Sequence, residues 1–128
     1  MLKKMCMVTL VALTMSGCST YSVNRYAVSV DNITALKQAQ GSKLQIGEFN
    51  SVKKSQTSIM CRGVGPIKTP DGQSFESFIR KAFIDELKMA DLYASEAPVT
   101  LTGTLDSIDF SSASGKWNIA VTIINTAD

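Results

Sequence analysis

Apolar and polar residues follow one another in three rhythms along this chain. From Met5 to Met15 every position is apolar except Thr9 and Thr14, a run well short of the roughly 20 residues that span a bilayer as a helix. Further on the rhythm becomes alternation. Tyr26, Val28 and Val30 are separated by Ala27 and Ser29, and Leu44 and Ile46 by polar Lys43 and Gln45. This period of two predicts strands over Tyr26–Val30 and Lys43–Phe49. Asp31-Asn32 breaks the first, leaving Ile33–Gln40 as a short helical turn or a loop before Gly41-Ser42. Asn50–Gln56 is a polar connection, and Lys53-Lys54 within it reads as a solvated loop. Thr57–Ile67 reads as one more strand, with Ile59, Cys61 and Gly63 on one side and Met60, Arg62 and Val64 on the other. Pro66 closes it, because proline has no N–H to give a ladder.

The third rhythm is helical. After the turn Thr69-Pro70-Asp71-Gly72, a helix is predicted over Ser74–Tyr93. Ser74 is its N-cap and Glu76 lies in its first turn. Phe75, Phe78, Ile79, Ala82, Phe83, Leu87 and Ala90 form a stripe at the i, i+3, i+4, i+7 spacing. Glu76 and Arg80 form a supportive i, i+4 pair on the opposite side. This stripe reads as a face docked on a sheet. Glu86 falls near its middle, between Ala82 and Ala90 one turn to either side, and is expected at the stripe's margin with its head in water. Glu96-Ala97-Pro98 ends the helical section.

Val99–Phe110 then alternates again, with Val99, Leu101, Gly103 and Leu105 on one face and three threonines on the other. The phase shifts to Ile108 and Phe110, which predicts a bulge near Asp106-Ser107. Ser111–Gly115 forms a hairpin loop, and Trp117, Ile119, Val121 and Ile123 are the inner face of the returning strand. The fold class expected is α+β: one amphipathic helix on a mostly antiparallel sheet of four or five strands, in the order β-β-α-β-β.

Composition narrows the chemistry. The 128 residues contain 13 Lys and Arg, 11 Asp and Glu, and no histidine. Lys3 and Lys4 account for the whole excess of positive charge, so nothing resembles the clustered basic face that nucleic acid requires. Without histidine the commonest general base and metal ligand is missing. No catalytic residue set, cofactor site or metal site can be assembled. Gly63-Val64-Gly65 lacks the third glycine and following helix of a dinucleotide loop. Asp106 and Asp109, three apart on a strand, point to opposite faces without a bulge. The expectation is a protein that is not an enzyme.

The N-terminus has the layout of a secretory signal peptide: basic Lys3-Lys4, the apolar run, then small Ser16-Gly17 before Cys18. Leu13-Thr14-Met15-Ser16-Gly17-Cys18 resembles the lipobox of bacterial lipoproteins, with Met15 where leucine is usual. The resemblance implies cleavage between Gly17 and Cys18 and lipidation of Cys18 with palmitate-type chains. It also implies, through Ser19 in place of aspartate, export to the outer membrane. Ordinary cleavage to a soluble periplasmic protein is the alternative. Residues 1–17 are then the signal, 18–42 a lipid-attached tether with an N-terminal strand, and 43–128 the α+β domain. Cys6 leaves with the signal and Cys18 is acylated, so Cys61 remains as a free thiol, expected reduced and shielded.

Gly47-Glu48-Phe49, the helix containing Asp85-Glu86-Leu87-Lys88, and the strand Val99–Asp109 resemble small Gram-negative outer-membrane lipoproteins. These include the YajG-like, LPS-assembly-lipoprotein-like and curli-assembly-like periplasmic domains. Cys61–Ile67 and Phe110-Ser111-Ser112 are similar to an uncharacterised lipoprotein family whose members continue with another strand and a helix. That resemblance implies a C-terminally truncated member, or one that has lost its last elements. The function expected is an envelope assembly or accessory factor anchored by its lipid and working through another envelope protein. The alternative is a periplasmic binding module for a lipid, glycan or peptidoglycan fragment. The candidate interaction edge is the last strand, through Trp117, Ala120 and Ile124, with Lys116 its only charge. Pairing of that strand internally, between Val99–Phe110 and the N-terminal strand, is the other placement.

Overall fold

The computed structural model describes residues 20–61 and 65–127. The signal-like segment, Gly17, Cys18 and Gly63 lie outside them. Among the described residues the fold is α+β, but with two helices and with six strands divided between two three-stranded mixed sheets. In chain order the elements are β1 (Tyr21–Ser22), α1 (Val30–Gln38), β2 (Gln45–Ser51), β3 (Ser58–Cys61), β4 (Gly65–Lys68), α2 (Phe75–Met89), β5 (Val99–Ser111) and β6 (Lys116–Ala127). A single 3-10 turn, Pro70–Gly72, precedes α2.

The first sheet has the order β1-β4-β3 and the second β2-β5-β6. One expected strand, Thr57–Ile67, is therefore two. β3 and β4 pair antiparallel with Ile59 opposite Ile67 and Cys61 opposite Gly65. Gly65, the first residue of β4, adopts φ 112°, a conformation that side chains resist and glycine allows. The expected Tyr26–Val30 strand is also absent. Ser29 is extended, its hydroxyl caps α1 by accepting from the Asn32 amide, and Val30 is already helical. Asp31 in the first turn and Lys37 in the last suit the helix dipole. The helix forms, although no residue of it is fully buried.

The second sheet corrects the expectation of mostly antiparallel pairing, since β2 and β5 run parallel. Parallel neighbours need a long crossover, and here α2 lies within it. Between Ile46, opposite Leu101, and Phe49, opposite Gly103, β2 carries one extra residue. This bulge turns both Ile46 and Phe49 toward α2, where they pack with Leu87. The carbonyls of Ile46 and Gly47 accept from the Arg80 guanidinium at 3.2 and 2.6 Å. The expected Glu76–Arg80 pair is thus replaced. Glu76 turns instead to the amide of Ser55, and both side chains tie the helix to neighbouring loops and strands.

A second cluster joins the two sheets: Ile59 of β3, Phe75 of α2 and Leu105 of β5. Burying a side chain of this size contributes about 1.5–3 kcal/mol, so Phe75 and Leu87 fasten the two ends of α2. The helix stops at Met89 rather than Tyr93. Asp91 takes φ 60°, and Leu92 and Ala94 turn to bond Leu44, whose amide donates to Leu92 O at 2.8 Å and whose carbonyl accepts from Ala94 at 3.0 Å.

β5 and β6 form the long hairpin expected from the pattern. Leu105 pairs with Val121 and Ser107 with Ala120, so Asp106 is the bulged residue. Across it the register keeps Ile108 opposite Ile119 and Phe110 opposite Trp117. Directly opposed residues share a face, which unites Leu105, Ile108 and Phe110 with the expected inner stripe of β6. Gly115, at φ 64°, completes the turn, its amide donating to Ser111 O at 2.8 Å.

Candidate functional site

Two features concentrate unusual chemistry. The first is a groove of about 660 Å³ between α1 and α2, floored by Leu44 and Leu101. Phe78, Ile79, Ala82 and Phe83 of α2 and Ala35 and Leu36 of α1 line the groove, while Ile79 also packs against the core and the Phe83 ring lies 5.6 Å from that of Phe49 in β2. The stripe therefore serves partly as sheet contact and partly as groove wall.

Glu86 is the acid in that wall. It is only 8 % exposed, which corrects its expected place at a wet margin. The segment 26–32 covers it. Glu86 Oε1 accepts from the Tyr26 hydroxyl, from the Ser29 amide at 2.8 Å and from Asn32 Nδ2 at 3.3 Å. The Tyr26 bond, with the Ser29 amide second, holds the carboxyl below its ordinary value, while burial opposes the shift. The same bond raises the Tyr26 phenol above its ordinary value. Glu86 Oε2 is buried and has no hydrogen-bond partner among the described residues. The ion pairs of the described residues are Arg25–Asp71, Lys43–Asp91 and Lys81–Asp85, none involving Glu86. Sequence reasoning singled out Glu86 but missed Tyr26, Ser29 and Asn32. The one available signal was Ser29 ahead of Asp31 and Asn32, an N-cap pattern.

The second feature is β6. It lies at the edge of its sheet, paired with β5 alone among the described strands. Internal pairing with an N-terminal strand is not what the structure shows. Trp117 touches Phe110 and Phe75, with ring centres 4.9 and 6.5 Å away, yet it stays 37 % exposed. Ile119 and Ile123 on the same face are 52 and 39 % exposed. Ala120 and Ile124 occupy the outer face with the threonines of β5, Ile124 at 57 % exposure. Both faces of the edge thus carry uncovered apolar side chains.

The remaining candidates are not brought together. Cys61 is buried at the end of β3 with a free thiol. Cys18 and Gly17 lie outside the described residues. Asp106 accepts from Thr122 Oγ1 at 2.7 Å, and Asp109 from the Phe110 amide. Gly65 opens a strand rather than a helix. Among the described residues no group of three His, Cys, Asp or Glu side chains could hold a metal ion, and no helix is long and apolar enough to cross a membrane. Comparison of the chain with protein-family models, characterised proteins and solved structures finds no match.

Proposed function

We propose that this chain is a lipid-anchored protein of the bacterial outer membrane. It is not an enzyme, and it assists envelope assembly by pairing its β6 edge with a strand of another envelope protein. The observation that carries the reading is the character of that edge. A free strand offers a row of backbone donors and acceptors, and monomeric proteins blunt it with charge, proline, bulges or brevity. β6 is twelve residues long, with Lys116 as its one charge and no proline. The bulge of this hairpin falls on β5, the inner strand. The apolar residues on both faces of β6 add area that a partner strand would cover.

The anchor is proposed from the N-terminal pattern. Cys18 would carry the lipid, and stable attachment takes more than one chain at about 0.8 kcal/mol per buried methylene. The domain would then sit in the periplasm, tethered through Ser19 and Thr20. Two experiments test these parts separately. Metabolic labelling with a palmitate analogue should mark the wild type and fail in Cys18→Ser, which should accumulate as unprocessed precursor. Label retained by that variant would overturn the anchor. For the edge, a photocrosslinker at position 122 should yield a specific adduct in cells, whereas one at position 34 on α1 should not. Equal adducts from both positions would overturn the edge reading.

A further inference from the structure

We infer that the groove between α1 and α2 binds an amphiphile with a single alkyl chain and a protonated amine head, the head bonding Glu86 Oε2. This goes beyond the edge reading and does not depend on it. Three observations converge. The groove, about 660 Å³, lies within the range of pockets that hold small ligands, and its walls are almost wholly aliphatic and aromatic. They contain one carboxylate, Glu86, that is more than nine-tenths buried. The hydrogen bonding of that carboxylate is one-sided, three donors on Oε1 and none on Oε2.

A buried acceptor without a donor is costly, and a buried charge without a counter-charge more so. The chain supplies neither to Oε2 among its described residues. The missing partner is therefore a donor, and a cationic one satisfies hydrogen bond and charge together. An anionic head such as a fatty-acid carboxylate would add repulsion. The apolar wall calls for an alkyl body, which gains from leaving water. Oε2 is itself closed to solvent, so the head reaches it as Tyr26, an exposed side chain lining the groove on a strap that joins no sheet between residues 24 and 29, moves aside.

Isothermal titration of the full chain with octylamine, octanol and octanoate at neutral pH tests the assignment, because the three share one chain length and differ in the head. Octylamine should bind about tenfold more tightly than octanol, the value of one charge-assisted hydrogen bond, and octanoate most weakly. Glu86→Gln should bring octylamine to the octanol level. Ala82→Phe, which fills the groove and leaves Glu86 in place, should abolish binding of all three. Equal binding of the three probes, preference for octanoate, no binding at all, or an amine preference that survives Glu86→Gln would each overturn the proposal. Should Glu86→Gln fail to fold, the head-group order in the wild type and the Ala82→Phe variant still decide it.

Discussion

A β-carbon added at Gly103 would stand 2.6 Å from the Phe49 ring, closer than any side chain tolerates. Glycine is therefore required in the middle of β5 so that the Phe49 ring of β2 can lie against the strand. Gly103→Ala should destabilise the fold by about 1–3 kcal/mol, the usual cost of overpacking, read as a lower midpoint in urea unfolding. An unchanged midpoint would mean that the ring moves freely. Glu86 offers a second test, through pH. Its carboxyl is depressed in the folded state, first by the Tyr26 hydroxyl and then by the Ser29 amide. The stability it adds is fully present above the ordinary value of 4.5 and is lost as pH falls through the folded value. The difference in thermal midpoint between wild type and Glu86→Gln should therefore narrow on acidification from about pH 7 to about pH 3. A constant gap would show that Glu86 acts by shape alone. The alkaline side runs the opposite way: Tyr26 is raised above 10.0, so its contribution holds below that value and fades above the folded one.

Of the two helices, α1 is held the more lightly. It has no fully buried residue, and it is fixed by Leu36 at the edge of the core and by the polar ties to Glu86. Removing its N-cap with Ser29→Ala should cost about 1 kcal/mol of local stability and speed hydrogen exchange in α1 roughly fivefold. Amides of α2 should be unaffected. Equal acceleration in both helices would mean that they open as one unit. The same looseness explains why α1 was poorly legible in the sequence. Its few apolar positions do not make a full stripe, and the short alternation at Tyr26–Val30 suggested a strand that Ser29 in fact terminates as a cap. By contrast α2, the Asp106 bulge and the β5–β6 hairpin were legible, because core packing fixes their apolar periods. The donors to Glu86 were not, since they come from 54 to 60 residues away and no local pattern brings them together. The division of Thr57–Ile67 into β3 and β4 was not legible, because the alternation runs on through Cys61 and Gly65, which the structure pairs with each other.

At the scale of the molecule, α2 is the shared support. Its Phe75 end closes the cluster between the two sheets, its Leu87 end closes the cluster beneath β2, and its apolar stripe lines the groove with α1. On the far side of β5 no described element lies beyond β6 in its sheet, so the proposed ligand site and the proposed partner edge occupy different parts of one body. They can be altered independently. The edge is the more consequential of the two, and the double variant Ala120→Lys, Ile124→Lys tests it most directly. Both side chains are exposed on the outer face, where single substitutions usually change stability by no more than about 0.5 kcal/mol. Association with the envelope partner, measured by co-sedimentation alongside the thermal midpoint, should be lost while the midpoint stays nearly unchanged. Retained association at an unchanged midpoint, or unfolding of the domain, would contradict the account.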